Sequence, residues 1–167
     1  MNRKLLMLRL MLLGDGYKKA EFLKNQKYFG SIGKDCYLQP FNYGTEPELI
    51  FFGNNDCIAS GVTFVNHDVI YKMLNKMCAG GGHCPPNEDE KFAKRTGEIH
   101  LGDNVFVGCN STILYDVTIG DNVIIGAGSL VNKEIPSGTV AAGVPAKVIG
   151  KFDDYKRKMA EYSQNVK

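Results

Sequence analysis

The residue most suited to chemistry in this chain is His67, next to last in the run IASGVTFVNHD at positions 58–68. An imidazole titrates near neutral pH, so a histidine held at a fixed corner can take a proton from a hydroxyl in a transition state. Asn66 and Asp68 flank it. Adjacent residues on a strand face opposite ways, so Asp68 orients the imidazole only where the chain turns. Otherwise the pair serves turn hydrogen bonding. Lys133, Lys147 and Lys151 fall toward the C-terminal end and offer a seat for an anionic ligand, against the plainer reading of surface lysines. The segment CAGGGHC, from Cys78 to Cys84, invites a zinc reading. Its spacing fits no usual pattern for a four-ligand tetrahedral site, so a glycine-rich loop is the better account and no metal is expected.

These residues must be positioned by something, and the stretch from Leu101 to Pro136 shows what. Cut every six residues it reads LGDNVF, VGCNST, ILYDVT, IGDNVI, IGAGSL, VNKEIP. The first place is Leu101, Val107, Ile113, Ile119, Ile125 and Val131, always aliphatic. Gly102, Gly108, Gly120 and Gly126 fill the second. A period of six belongs neither to a helix nor to a single strand, and it points to a solenoid. One aliphatic side chain per hexad faces inward, a small residue lets the chain bend, and three hexads close a triangular coil. The fold class is an all-β solenoid.

In chain order, residues 1–30 read as an N-terminal helical cap. Arg3 to Leu13 is one helix ended by Gly14-Asp15-Gly16, and Tyr17 to Phe29 is a second. Such a cap covers the unpaired strand edges of the first coil. Residues 31–150 carry the coils, four in all with the first irregular. Phe52, Ile58 and Phe64 take the inward place before His67. Residues 70–98 leave the hexad frame directly after His67, and an insertion this long is functional or disordered. Gly138 to Gly150 unwinds, and 151–167 forms a C-terminal helix packed over the last coil by Phe152, Tyr155, Met159 and Tyr162.

Size and charge bound the function. The 167 residues make one domain, and a formal charge of +2 is too small to name nucleic acid or an acidic membrane as the main partner. Five cysteines, an odd number, read as free thiols in a reducing cytoplasm rather than a disulfide framework. The opening MNRKLLMLRLMLLGDG has too short an apolar run for a membrane span, and Arg9 interrupts it as a signal sequence. No membrane insertion is expected, and the location is cytoplasmic.

The stretch IGDNVIIGAGSLVNKEIPSGTVAAGVPAKVIG resembles the C-terminal half of the hexapeptide-repeat acyltransferases. That resemblance implies a left-handed parallel β-helix, a homotrimer with each site built from two chains, and acetyl-coenzyme A (acetyl-CoA) as co-substrate. IASGVTFVNHD resembles the active-site coil of the sugar O-acetyltransferases, among them the maltose, galactoside and capsular-polysaccharide enzymes. It implies that His67 is the general base for direct acetyl transfer to a sugar hydroxyl. The family's acceptor-side asparagine falls nearest Asn42 in PFNYG, with a one-residue shift in spacing. Asn66 and Asp68 join it as substrate-side candidates. The pantetheine arm is expected along Cys109 and Ala127, and the nucleotide end near Asn132, Lys133 and Lys147. The insertion is expected to wall the active site, often that of a neighbouring subunit. Rival readings are an antibiotic O-acetyltransferase, a non-catalytic β-helix scaffold, and a trimeric metal hydratase, for which His83 and His100 lack the spacing.

Overall fold

The computed structural model describes residues 3–79 and 91–166. His83 and Cys84, with much of the CAGGGHC segment, lie outside the described residues. Two helices open the chain: α1 (Arg3–Leu13) and α2 (Gly16–Asn25). Asp15 is more than the end of α1. It is the N-cap of α2, its Oδ1 accepting from the Lys18 N–H at 3.0 Å. α2 stops at Asn25, short of Phe29, and Lys27 turns the chain at φ 49°. Phe29 thereby reaches the core, with ring centroids 4.9 Å from both Tyr43 and Phe52.

From there the chain winds through three sheets in turn. The first coil contributes β1 (Tyr37–Leu38). The second contributes β2 (Ile50–Phe51), β3 (Cys57–Ile58) and β4 (Thr63–Val65). After the insertion come β5 (Ile99–Leu101), β6 (Val105–Val107) and β7 (Thr112–Leu114), then β8 (Val117–Ile119), β9 (Val123–Ile125) and β10 (Leu130–Val131). Each strand pairs in parallel with the strand one coil on, giving sheets β2-β5-β8, β4-β7-β10 and a longer one that starts β1-β3-β6-β9.

Register explains the hexad. Leu38, Ile58, Val107, Ile125 and Ala141 are successive partners across one sheet, and all are fully buried. Phe64, Ile113 and Val131 form a second buried column. Each such large side chain taken from water contributes roughly 1.5–3 kcal/mol. The glycine in the second place has a different task from the one expected. A Cβ on Gly53 would stand 2.2 Å from the Gly102 carbonyl oxygen, so glycine permits the coils to stack. The sharp bend falls two residues later, where Asn55, Asn104 and Asn122 adopt φ between 54° and 60°, a left-handed conformation that asparagine tolerates.

Three further expectations are corrected. Gly138–Gly150 does not unwind. β11 (Thr139–Gly143) continues the long sheet in parallel beside β9, then folds back antiparallel as β12 (Ala146–Lys151). The hairpin pairs the last coil's edge, which is otherwise open. The insertion begins as a helix, α3 (Ile70–Ala79), and just before it Asp68 Oδ1 accepts from the Ile70 N–H at 3.1 Å. Among the described cysteines, Cys36, Cys57 and Cys109 are free, but Cys78 is disulfide-bonded. The free three sit at coil positions whose register separates them, whereas Cys78 lies in the insertion, outside that register. The chain ends in α4 (Phe152–Asn165), which packs on β11 and β12. No helix among the described residues is long and apolar enough to cross a membrane.

Candidate active site

His67 follows β4 at the corner where the insertion leaves the coils. The insertion returns to the same corner. His67 bridges Thr96 in antiparallel fashion, the Asp68 N–H donates to the Arg95 carbonyl at 3.2 Å, and the Gly97 N–H donates to the Asn66 carbonyl at 2.8 Å. The corner is therefore pinned on both limbs of the excursion.

The turn Asn42–Glu46 of the first coil lies against it. His67 Nδ1 is 2.7 Å from Glu46 Oε2 and 3.2 Å from Thr45 Oγ1. Thr45 Oγ1 donates to the same carboxylate oxygen at 2.5 Å, and Lys94, on the returning limb, pairs with Glu46 Oε1. Burial would raise the Glu46 pKa, but hydrogen bonds from Lys94, Thr45 and His67 outweigh it and hold the carboxyl at about 2. Against an ionised carboxylate, Nδ1 must be the protonated nitrogen. Nε2 then carries the lone pair. A half-buried imidazole fixed in this tautomer by a carboxylate is built to accept a proton and to stabilise the resulting cation.

The other predicted residues divide. Asn42 lines a cavity of about 280 Å³ with Phe41, Gly61, Thr63 and Phe64, and its Oδ1 accepts from the Gly44 N–H at 3.2 Å. Asn66 is fully buried, and neither atom of its side-chain amide has a hydrogen-bond partner. Asp68 does not orient the imidazole. Its second oxygen accepts from the Tyr115 hydroxyl at 3.1 Å, and the Arg95 guanidinium lies 4.9 Å over that ring.

On the cofactor side, Cys109 and Ala127 occupy one corner of successive coils, both exposed. The Gly128 N–H donates to the Cys109 carbonyl at 2.8 Å, and a Cβ on Gly108 would stand 2.5 Å from the Ala127 nitrogen. Lys147 pairs with Ala142 in the terminal hairpin, and Ala142 is stacked on Gly126, so Lys147 continues the same corner. Asn132 and Lys133 are exposed beyond β10, on a different sheet. His100 stacks flat on Phe51 at 4.4 Å and pairs with Glu98 at 2.7 Å. Among the described residues no group of His, Cys, Asp and Glu is arranged to hold a metal.

The bacterial transferase hexapeptide (six repeats) family matches residues 98–133. Protein CapG of Staphylococcus aureus is 39% identical over 147 residues, 86% of this chain and 78% of that protein. The chain belongs to the bacterial transferase hexapeptide family. A second member, the galactoside O-acetyltransferase of Escherichia coli (strain K12), is 34% identical over 148 residues, 82% of this chain and 70% of its own. The solved structure of a galactoside acetyltransferase in complex with coenzyme A superposes with a TM-score of 0.55 at 26% identity, covering 93% of this chain and 81% of that one. The resemblance read from the hexads therefore holds, and the chain is an acetyltransferase of this family.

Sequence reasoning missed Glu46, Thr45 and Lys94. A signal for Glu46 existed. The offset between the first two coils is twenty residues, Tyr37 pairing with Cys57, which sets Glu46 one coil above Asn66.

Proposed function

We propose that this chain is an acetyl-CoA-dependent O-acetyltransferase acting on a hydroxyl of a sugar or polysaccharide precursor, with His67 as general base. The observation that carries the reading is the 2.7 Å contact between the Glu46 carboxylate and His67 Nδ1 at the corner where the insertion departs and returns. The galactoside acetyltransferases among its relatives support a sugar acceptor.

Acetyl-CoA supplies the acetyl thioester. His67 Nε2 takes the acceptor hydroxyl's proton as its oxygen attacks the thioester carbonyl. When the carbon–sulfur bond breaks, the imidazolium, paired with Glu46, gives that proton to the departing thiolate. A backbone N–H at a neighbouring turn serves the developing oxyanion. Asn42 faces the acceptor from its cavity. Cys109 and Ala127, small and exposed at one corner, leave room for the extended pantetheine arm, and Lys147 meets a phosphate beyond it. Asn132 and Lys133 serve the nucleotide end from the adjacent sheet. Lysine presents a point charge rather than a planar fork, so phosphate recognition is electrostatic more than bidentate.

The winding is taken as left-handed, as the family implies. The chain is taken as one unit of cap (1–30), coils (31–150, interrupted at 70–98) and terminal helix (151–167). A homotrimer completes the site, because one triangular prism offers a single narrow groove and two side by side can enclose a long cofactor. The cytoplasm, where acetyl-CoA is made, is the proposed location.

The test is release of free thiol from acetyl-CoA against a panel of sugars, with His67→Ala in parallel. Sugar-dependent release that falls by roughly 10²–10⁴-fold in the variant, with acetyl-CoA binding retained, is the expected result. Near-normal turnover in the variant overturns the role of His67. Release with an antibiotic acceptor and with no sugar overturns the acceptor class.

A further inference from the structure

Among the described residues nothing covers the outer face of α1, and its composition is unusual for a face in water. Leu6 and Leu10 are its buried stripe, facing the cap's interior. On the opposite side, Leu5, Leu8 and Leu12 follow one another at i, i+3 and i+7, and they are 56%, 54% and 80% exposed, with Met11 beside them at 56%. A helix apolar on all sides is normally buried on all sides. Here the apolar ridge is flanked by cations. Lys4 lies on the Met11 side, and Arg9 on the Leu5 and Leu12 side, with its guanidinium 4.9 Å over the Phe22 ring.

Charge points to the occupant. The chain total of +2 conceals a strong asymmetry. Residues 1–30 hold seven of the 20 Lys and Arg but two of the 18 Asp and Glu, so the cap carries +5 and the remainder −3. Lys4, Arg9, Lys18 and Lys27 are all exposed. A short apolar ridge edged by Lys and Arg, on a body that concentrates positive charge at the same end, is the composition of a helix lying in a membrane interface. The leucines enter the headgroup–acyl boundary, and the long basic side chains reach back to anionic headgroups.

We infer that α1 and the basic cap form a peripheral docking surface for an anionic lipid bilayer. It lies on the membrane and does not span it. This surface is independent of the His67 site and stands whatever the acceptor proves to be.

The test is co-sedimentation of the full chain with vesicles of phosphatidylcholine alone and of phosphatidylcholine with phosphatidylglycerol. Binding to the anionic vesicles only, weakened by added salt, is the expected result. Leu8→Glu/Leu12→Glu lowers the bound fraction by roughly tenfold or more, with thermal transition and native mass unchanged. Lys4→Glu/Arg9→Glu, which leaves the ridge intact, lowers it as well. The inference is overturned if the wild-type chain stays in the supernatant with anionic vesicles. It is equally overturned if the leucine variant binds as the wild type does, or if that variant reduces the native mass, since a second copy then covers the ridge.

Discussion

At the scale of single residues, the site depends on who holds the imidazole. Glu46 is a positioning residue: it touches His67 Nδ1, the nitrogen turned away from the proposed acceptor. Glu46→Gln keeps the shape but removes the charge that favours the imidazolium of the proposed transfer. The turnover number should fall by roughly one to two orders of magnitude, less than the loss of the base itself, with little change in KM for acetyl-CoA. Steady-state thiol release measures both, and a rise in KM alone would make Glu46 a binding residue instead. The same carboxylate links to acid stability. Its pKa of about 2 lies below the ordinary glutamate range, so the fold favours the ionised form. That contribution is complete above the ordinary range and is lost as pH falls toward about 2.

At the scale of elements, the coil corners are stacked hydrogen-bond ladders. The Asn54 N–H donates to Asp103 at 2.7 Å, the Asp103 N–H to Asp121 at 2.8 Å, and the Asp121 N–H to Ser137 at 2.9 Å. Asp56 is an inward, charged exception to the apolar rule. Asp56 precedes Cys57, the partner of Phe106, and so takes the place that Val105 and Val123 hold in later coils. It is fully buried, accepting from the Gly53 and Val105 N–H groups at 2.9 Å each. Burial pushes its pKa up to about 7, past the lowering effect of those two bonds and helped by the charges of Asp103 and Asp121. The folded chain therefore holds a proton there that the unfolded chain releases. Stability should decline as pH rises from about 4 to about 7, and Asp56→Asn should remove that decline whatever it does to the absolute level. Thermal melts across that range measure the slope. An unchanged slope in the variant would assign it to another group. The terminal helix shows the same logic of length. Fourteen residues span about 21 Å, close to four coils at about 4.8 Å each. α4 accordingly runs back along the stack, and Phe152, Tyr155 and Met159 line a cavity of about 390 Å³ with residues from Asn55 to Ile124.

At the scale of the whole molecule, the stack has two different ends. The N-terminal end is capped by helices and strongly basic. The C-terminal end is closed by the β11–β12 hairpin, near the corner that carries Cys109, Ala127 and Lys147. The proposed acceptor side and donor side thus occupy successive levels of one prism, and in the proposed trimer a neighbouring copy supplies the second wall. Solution scattering at working concentration should return the mass of three chains. A fully active monomer would show that one prism encloses both substrates.

The sequence by itself determined the architecture, because burial in a coil is a local property that recurs with the chain's own period. Leu101, Val107 and Ile113 are aliphatic for the same reason that they are buried, and each hexad reports its inward face without knowledge of any other. His67 was legible for a related reason, since it stands at a corner where the frame stops. Only the tertiary structure decided what faces it. Contacts between coils depend on offset, and the offset is eighteen residues in the later coils but twenty between the first two. The insertion resets it altogether, bringing Lys94 back to Glu46 across 48 residues. The same holds for the cap. Its leucines read as helix from spacing alone, but which of them turn inward and which stay in water was settled by the packing of α1 on α2.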